Sequence, residues 1–462
     1  MHKTDPVATA VEVVRGFHQQ FALTEDELHA LYPLTVARLL ISVTCARQNQ
    51  LQHPDNIYLQ ISDEPAWQLL SRLQELSPRW IESRFRHACG MPVVKQAPLF
   101  EEWARSISKR IWPVAMPETA ATLDLSVGSL ELGVSAHLAD SEKLDRAIRK
   151  MMGGSLYAFG RYDEARAIYA TDAYQVVGND GAEWRTVHIG LDLFAPAGTP
   201  VVAACDGEIF SVANNAAERD YGPTIILRHQ PVDGLVFYTL YGHLSLDSLE
   251  GRQRGDVVKA GAEIGAVGDR SVNGNWTPHL HFQVMLDMLD KEGDFPGVCV
   301  PSQRDVWKAL CPDPFWLLQG EPMDIKRGMS NDEIVAFRKQ FVGKNLSISY
   351  RKPIRMVRGD GAWLIDDEGR RYLDTVNNVA QVGHEHPAVV TAGQRQMAVL
   401  NTNTRYLHEN MVHFVEALLK TLPPKLNVVY LVNSGSEANE LAMRLAKTYT
   451  NQRDMVVSEV GY

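Results

Sequence analysis

The sequence is poor in cysteine. Five stand among 462 residues (Cys45, Cys89, Cys205, Cys299 and Cys311), odd in number and with no C-x-x-C pair. That is no disulfide framework and fits a reducing compartment. Excess positive charge is also missing: 46 Lys and Arg face 56 Asp and Glu, a formal net charge of −10. A nucleic-acid binder held by a general basic surface is therefore disfavoured. The opening stretch MHKTDPVATAVEVV lacks the apolar core of a signal peptide. No run approaches the roughly 18 consecutive apolar residues of a membrane span, and nothing repeats at a solenoid period. The expectation is a cytoplasmic chain with neither a membrane nor a nucleic-acid partner. With 45% hydrophobic and 22% charged residues it should fold, and its length suggests about three domains.

Four textures follow one another. Residues 1–110 read as helical: TDPVATAVEVVRGFHQQF has helical apolar spacing, Thr24 and Glu27 have capping-box spacing, and DEPAWQLLSRLQEL is amphipathic. Residues 111–185 read as a connecting region in which RYDEARAIYA suggests a short helix. Residues 186–318 hold short β-rich runs bounded by glycine, among them PTIILRH, LVFYTLYGHL, AEIGAVG and HLHFQVML. With a hairpin signal at Asp206-Gly207, they point to an antiparallel β domain. Residues 325–462 read as α/β, with a hairpin turning at Glu368-Gly369, a helix in HPAVVTAGQRQMAVL, and a buried strand, tight turn and helix in NVVYLVNSGSEANELAMRLAKTYT.

The β segment carries the chemistry. In an extended TVHIGLDLF, His188, Gly190 and Asp192 share one face and Ile189, Leu191 and Leu193 the other. A straight strand would hold His188 and Asp192 about 13 Å apart. Binding one ion through both requires a bend, which Gly190 permits. In PHLHFQV, His279 and His281 share a face about 6.6 Å apart, so one can bind a metal while the other reaches a water or substrate on it. Two histidines and one aspartate suit zinc with a fourth position left for water. His243, in YGHLS, supplies a further acid–base group. The plain alternative is a set of unrelated surface and core histidines, and His229 is placed in that category.

HIGLDLFAPAGTPVVAACDGEI, YGHLS, GAEIGAVGD and PHLHFQV, in this order, resemble the motifs of lysostaphin-type (LytM-like) zinc metalloendopeptidases with the duplicated hybrid motif fold. That resemblance implies His188, Asp192 and His281 as zinc ligands. It implies His243 and His279 as the pair that activates water and stabilises the oxyanion, with a peptide as substrate. Gln283 stands where many members have Glu, and the family's usual cell-wall substrates lie outside the cytoplasm.

Toward the C-terminus, Ser434, Gly435 and Ser436 lead into a helix, where backbone N–H groups can cradle an anion or Ser434 and Glu437 can simply cap the helix. GDGAWLIDDEGRRYLDTVNNVAQVGHEHPAVV, LNTNTRYLHENMV and NSGSEANELAMRLA resemble the N-terminal part of class III aminotransferases, nearest the phospho-lyase branch. The resemblance implies pyridoxal phosphate, with Gly435 and Ser436 at its phosphate and Tyr462 against its ring, and a homodimer in the whole enzyme. Only Lys447 follows the Ser-Gly-Ser turn, at the wrong place for the Schiff-base lysine, so transamination by this stretch is not expected. His384 and His386 repeat the H-x-H pattern without a matching H-x-x-x-D and read as structural. RGFHQQFALTEDELHALYPLTVARLLISVTCARQ resembles the C-terminal helices of aminoglycoside phosphotransferase-type kinases, without their H-x-D-x-x-x-x-N loop. The expectation is a multidomain chain: a helical kinase-like remnant, an antiparallel all-β metallopeptidase domain, and a partial α/β transferase segment, an interior piece of a longer fusion.

Overall fold

The computed structural model describes residues 5–56, 63–169, 172–179, 181–323, 328–346, 348, 350–376 and 381–459. The first stretch forms helices α1 (Pro6–Gln20), α2 (Glu25–Gln52), α3 (Asp63–Gln74), α4 (Pro78–Ala88) and α5 (Ala97–Ser106). Asp5 caps α1 by accepting from the Ala8 N–H at 3.0 Å. Thr24 and Glu27 close the expected capping box on α2. Val7, Val14, Leu28, Leu73, Ile81 and Phe85 form the small core of this bundle.

Helix α2 corrects one expectation. An 18-residue window of it has mean hydropathy 1.4, so by length and composition it could cross a membrane. Its Leu, Ile and Val are interspersed with Thr, Ser, Ala and Arg38, so a search for consecutive apolar residues misses it. In the fold it packs on α3 and α4, and the Tyr32 hydroxyl donates to the Leu73 carbonyl at 3.2 Å.

The following stretch is more than a connector. It forms β1 (Ala121–Leu123), α6 (Ser135–Leu138), α7 (Ser141–Met151), β2 (Ala158–Gly160), β3 (Glu164–Ala165), β4 (Gln175–Gly178) and β5 (Gly181–Trp184). RYDEARAIYA is not the expected short helix: it gives β3 and a 3-10 turn at Ala167–Tyr169. A ten-residue helix is marginal alone, and pairing of Glu164 with His188 across strands outweighs it.

Next come β6 (Val187–His188), β7 (Leu191–Phe194), β8 (Pro200–Val202), β9 (Gly207–Asn215), β10 (Gly222–His229), β11 (Phe237–Gly242), β12 (Val257–Val258), β13 (Glu263–Ala266), β14 (His279–Met285) and β15 (Val298–Cys299). The main sheet runs β1-β2-β7-β14-β11-β10-β9-β12. Its pairs are antiparallel except β1 with β2. Asp206-Gly207 is not a hairpin tip, because β8 pairs with β13 while β9 pairs with β10 and β12. The two residues turn a corner between sheets. Asp206 accepts from the Ala260 N–H at 2.7 Å, and a Cβ at Gly207 would stand 2.6 Å from the Arg228 carbonyl oxygen.

Period-2 alternation gives the sheet two different faces. Leu191, Leu193, Leu280, Phe282 and Val284 enter one core. Asp192, His279, His281 and Gln283 occupy the opposite face, beside a second core holding Phe194, Val187, Ile189 and Met285.

Beyond α8 (Arg304–Leu310), α9 (Phe315–Leu318) and α10 (Asn331–Phe341), a three-stranded meander of β16 (Met356–Asp360), β17 (Trp363–Asp366) and β18 (Arg371–Leu373) turns at Gly369 as expected. His384 is structural: its Nε2 lies 2.8 Å from Asp374 Oδ2, and its backbone bridges to Gly361. The chain divides into two units, residues 1–390 and 391–462. Helix α11 (Pro387–Val399) crosses the boundary, and the second unit continues with α12 (Glu409–Leu419) and α13 (Gly435–Thr450). The buried strand expected at 428–432 is not there: the segment is irregular and exposed, with Val428 73% and Tyr430 64% accessible. A strand needs partners for its backbone groups, and no described strand pairs with this one.

Candidate metal centre

Strand register brings the site together. His281 stands directly opposite Asp192, and Gly242, the residue before His243, directly opposite His281. The expected bend falls at Gly190, between β6 and β7. It turns His188 back toward Asp192, so that His188 Nε2 lies 3.1 Å from Asp192 Oδ1. A Cβ at Gly190 would stand 2.4 Å from His281 Cε1, so the close approach of that ring is what requires glycine here.

Three donor atoms form a triangle with equal edges. His188 Nε2 to His281 Nδ1, His281 Nδ1 to Asp192 Oδ1, and Asp192 Oδ1 to His188 Nε2 are each 3.1 Å. Ligands about 2.0–2.1 Å from a tetrahedral zinc stand roughly 3.3–3.4 Å apart. The triangle therefore fits zinc on one face of a tetrahedron and leaves the fourth vertex open. All three residues are buried.

Hydrogen bonds outside the triangle settle which nitrogen faces in. His188 Nδ1–H donates to the Arg161 carbonyl at 3.1 Å, freeing the Nε2 lone pair. Gln283 donates its amide to the Pro296 carbonyl at 3.1 Å, so its Oε1 must accept His281 Nε2–H at 3.0 Å, freeing Nδ1. Such outer partners orient ligating histidines. Gln283 thus has a definite task, which its place two residues after His281 on the same strand face signals.

The other two histidines flank the triangle. His279 donates Nδ1–H to the Thr277 carbonyl at 2.6 Å and stacks on Phe194. Its Nε2 reaches 3.7 Å from Asp192 Oδ1. His243 donates Nδ1–H to the Asn273 carbonyl at 3.0 Å, and its ring centroid lies 4.4 Å from that of His279. It holds the left-handed backbone (φ 63) unusual for a non-glycine residue, fixed by hydrogen bonds to Tyr221 and Gly268.

Burial decides the protonation states. It lowers His188 to about 4, with the Arg166 charge adding to the effect. Burial also lowers His279, and lowers His243 well below the usual imidazole range. Burial alone would raise Asp192, but His188 and Arg166 hold its carboxyl well below the carboxylate range. At neutral pH Asp192 is therefore a carboxylate and His188, His243 and His279 are neutral imidazoles, and carboxylate and neutral imidazole are the forms that ligate metal. A cavity of about 440 Å³ opens onto it, walled by Tyr169, Tyr174, Arg219, Trp276 and Phe295. His229 is apart, with Nδ1 2.8 Å from the Asp206 carbonyl oxygen and Nε2 2.7 Å from Thr239 Oγ1.

The sequence reading missed Arg166, which is 1% exposed and donates to Asp192 Oδ2 at 2.5 Å.

The C-terminal candidates lie in the other unit. Ser434 caps α13, accepting from the Glu437 N–H at 3.2 Å. Gly435 and Ser436 are exposed, and a Cβ at Gly435 would meet nothing within 4 Å. Tyr462 lies outside the described residues. Around this helix start the described residues form no enclosure that fits a cofactor.

A buried His–Asp–His triangle with an open vertex, flanked by two oriented imidazoles, is the arrangement of a metal-dependent hydrolase. Residues 186–292 match the family model for peptidase family M23, and residues 347–460 that for class III aminotransferases. The chain therefore carries a zinc-metallopeptidase family domain followed by a class III aminotransferase segment. The catalytic domain of the antimicrobial peptidase lysostaphin from Staphylococcus simulans is 33% identical, over 25% of this chain and 77% of that one, with a TM-score of 0.19. A phospholyase from Arthrobacter, solved with phosphoethanolamine, is 43% identical over 28% of this chain and 31% of its own, with a TM-score of 0.27. The alanine–glyoxylate aminotransferase 2-like protein of Drosophila melanogaster is 45% identical over 135 residues, 29% of this chain and 27% of its own. The chain spans under a third of the length of the curated relatives it matches.

Proposed function

We propose that the β domain is a zinc-dependent peptidase. His188 Nε2, Asp192 Oδ1 and His281 Nδ1 hold the ion, and a peptide lies in the cavity above it. The single observation that carries this reading is the 3.1 Å triangle. When bound, zinc lowers the pKa of a coordinated water toward 7 and polarises a carbonyl.

The protein's own groups then manage the protons. His243 and His279 spend Nδ1–H on backbone carbonyls, so each presents a basic Nε2 to the cavity side. One takes the proton of the attacking water as general base. Once protonated it passes that proton to the departing amine. Burial of both rings keeps them neutral and ready to accept.

The aminotransferase segment supplies no step. Class III enzymes use pyridoxal phosphate, but the open, exposed start of α13 does not enclose one. The test is hydrolysis of a glycine-rich peptide panel by the purified, zinc-loaded chain. Cleavage lost on His279→Ala with zinc retained supports the reading. One bound zinc with no cleavage of any peptide identifies a metal-binding module without peptidase activity.

A further inference from the structure

Asp192 is held from two sides. Its Oδ1 belongs to the triangle, while Oδ2 accepts from Arg166 Nη1 at 2.5 Å. Arg166 is itself fixed on every side: Nε donates to Glu164 Oε2 at 2.9 Å, Nη2 to the Arg161 carbonyl at 3.1 Å, and Nη1 also to the Tyr169 hydroxyl at 3.3 Å. Space for the guanidinium depends on Gly160, whose Cβ would stand 2.8 Å from Nη2 and 3.4 Å from Asp192 Oδ2. Gly160 pairs with Asp192 across β2 and β7. A buried arginine with four protein partners has one orientation.

Apart from Asp192 itself, these partners lie outside the matched peptidase region, residues 186–292. Arg161, Glu164, Arg166 and Tyr169 all precede it: Arg161 just after β2, Glu164 on β3, and Arg166 and Tyr169 in the stretch that follows β3. Arg161 also receives the Nδ1–H of His188 through its carbonyl. The segment before the domain therefore holds two of the three triangle residues from outside.

A free aspartate can offer a metal one oxygen or two. With Oδ2 taken by a charge-assisted hydrogen bond, Asp192 can offer only Oδ1. We propose that Arg166 is a positioning residue of the metal centre: it confines Asp192 to one-oxygen ligation and keeps the coordination number low, leaving the vertex toward the cavity open. Residues 161–169 are then a built-in part of the centre. This rests on the metal-centre reading above, and the test separates the two.

The full chain and its Arg166→Met and Arg166→Lys variants are loaded with Co²⁺ in place of zinc. Visible d–d absorption is read, since its intensity falls as coordination number rises, and Zn²⁺ affinity is measured by chelator competition. Arg166→Met should weaken zinc by about 10–100-fold, the usual effect of losing a partner that orients a ligand, and dim the cobalt bands as the carboxylate closes onto the ion with both oxygens. Arg166→Lys keeps the charge but not the fork and should fall between. If Arg166→Met fails to fold by circular dichroism, Arg166→Lys decides on the same two readouts. Wild-type affinity together with an unchanged cobalt spectrum in the folded variants overturns the proposal while leaving the metal centre standing. A wild-type chain that binds neither ion overturns the metal-centre reading, and the proposal with it.

Discussion

His188 Nε2 lies 3.1 Å from His281 Nδ1, although 93 residues separate them in the chain. The two nitrogens meet because each ring's other nitrogen is tied down, by the Arg161 carbonyl and by Gln283. The centre is thus specified by its surroundings as much as by its ligands.

Gln283→Leu removes the acceptor that holds His281 Nε2–H and leaves the Pro296 carbonyl without its donor. Zinc affinity should fall about 10–100-fold, and unfolding should become easier by roughly 1–3 kcal/mol. Chelator competition and a denaturant melt measure the two. Zinc affinity equal to wild type would mean that the Gln283 contact does not set the tautomer.

Gly190→Ala places a Cβ 2.4 Å from His281 Cε1 and 2.5 Å from its Nε2. Overpacking of this kind costs about 1–3 kcal/mol, and the displaced ring should bind zinc more weakly. A thermal melt with and without zinc checks this. The variant should melt lower and gain less from the metal.

His279→Ala should lower kcat by about 10²–10⁴-fold, the usual share of a general acid–base group. Its Nε2 lies outside the triangle, so zinc stoichiometry should not change. Loss of metal and activity together would place His279 among the ligands instead.

His229 gives a pH dependence independent of the metal. Burial lowers it to about 4 from the usual 6.5. The unfolded chain takes up a proton in that window while the folded one does not, so stability is full above about 6.5 and falls as pH drops toward 4. The loss is at most about 3.5 kcal/mol for a shift of this size, at roughly 1.4 kcal/mol per unit. Urea midpoints between pH 7 and 4 should fall for wild type and fall less for His229→Gln.

Much of the centre was legible because period-2 alternation survives in β7 and β14: Asp192, His279 and His281 fall on the polar side of strands whose other side is apolar, and Gly190 marks the bend. What was not legible depended on pairings between distant segments. Nothing local in RYDEAR shows that Glu164 pairs with His188, or that Arg166 reaches Asp192. Asp206-Gly207 has hairpin wording, but β8 and β9 find different partners. The run at 428–432 has strand wording, and no described strand pairs with it. In α2, apolar residues at dispersed positions gave a window of membrane-like hydropathy that a count of consecutive residues does not register.

The central claim is that His188, Asp192 and His281 bind one zinc ion, and metal content of the purified chain tests it most directly. The account predicts about one zinc per wild-type chain, little in His281→Ala, and a full complement in His279→Ala. Wild-type protein that holds no zinc after supplementation, or His281→Ala that holds as much as wild type, would contradict it.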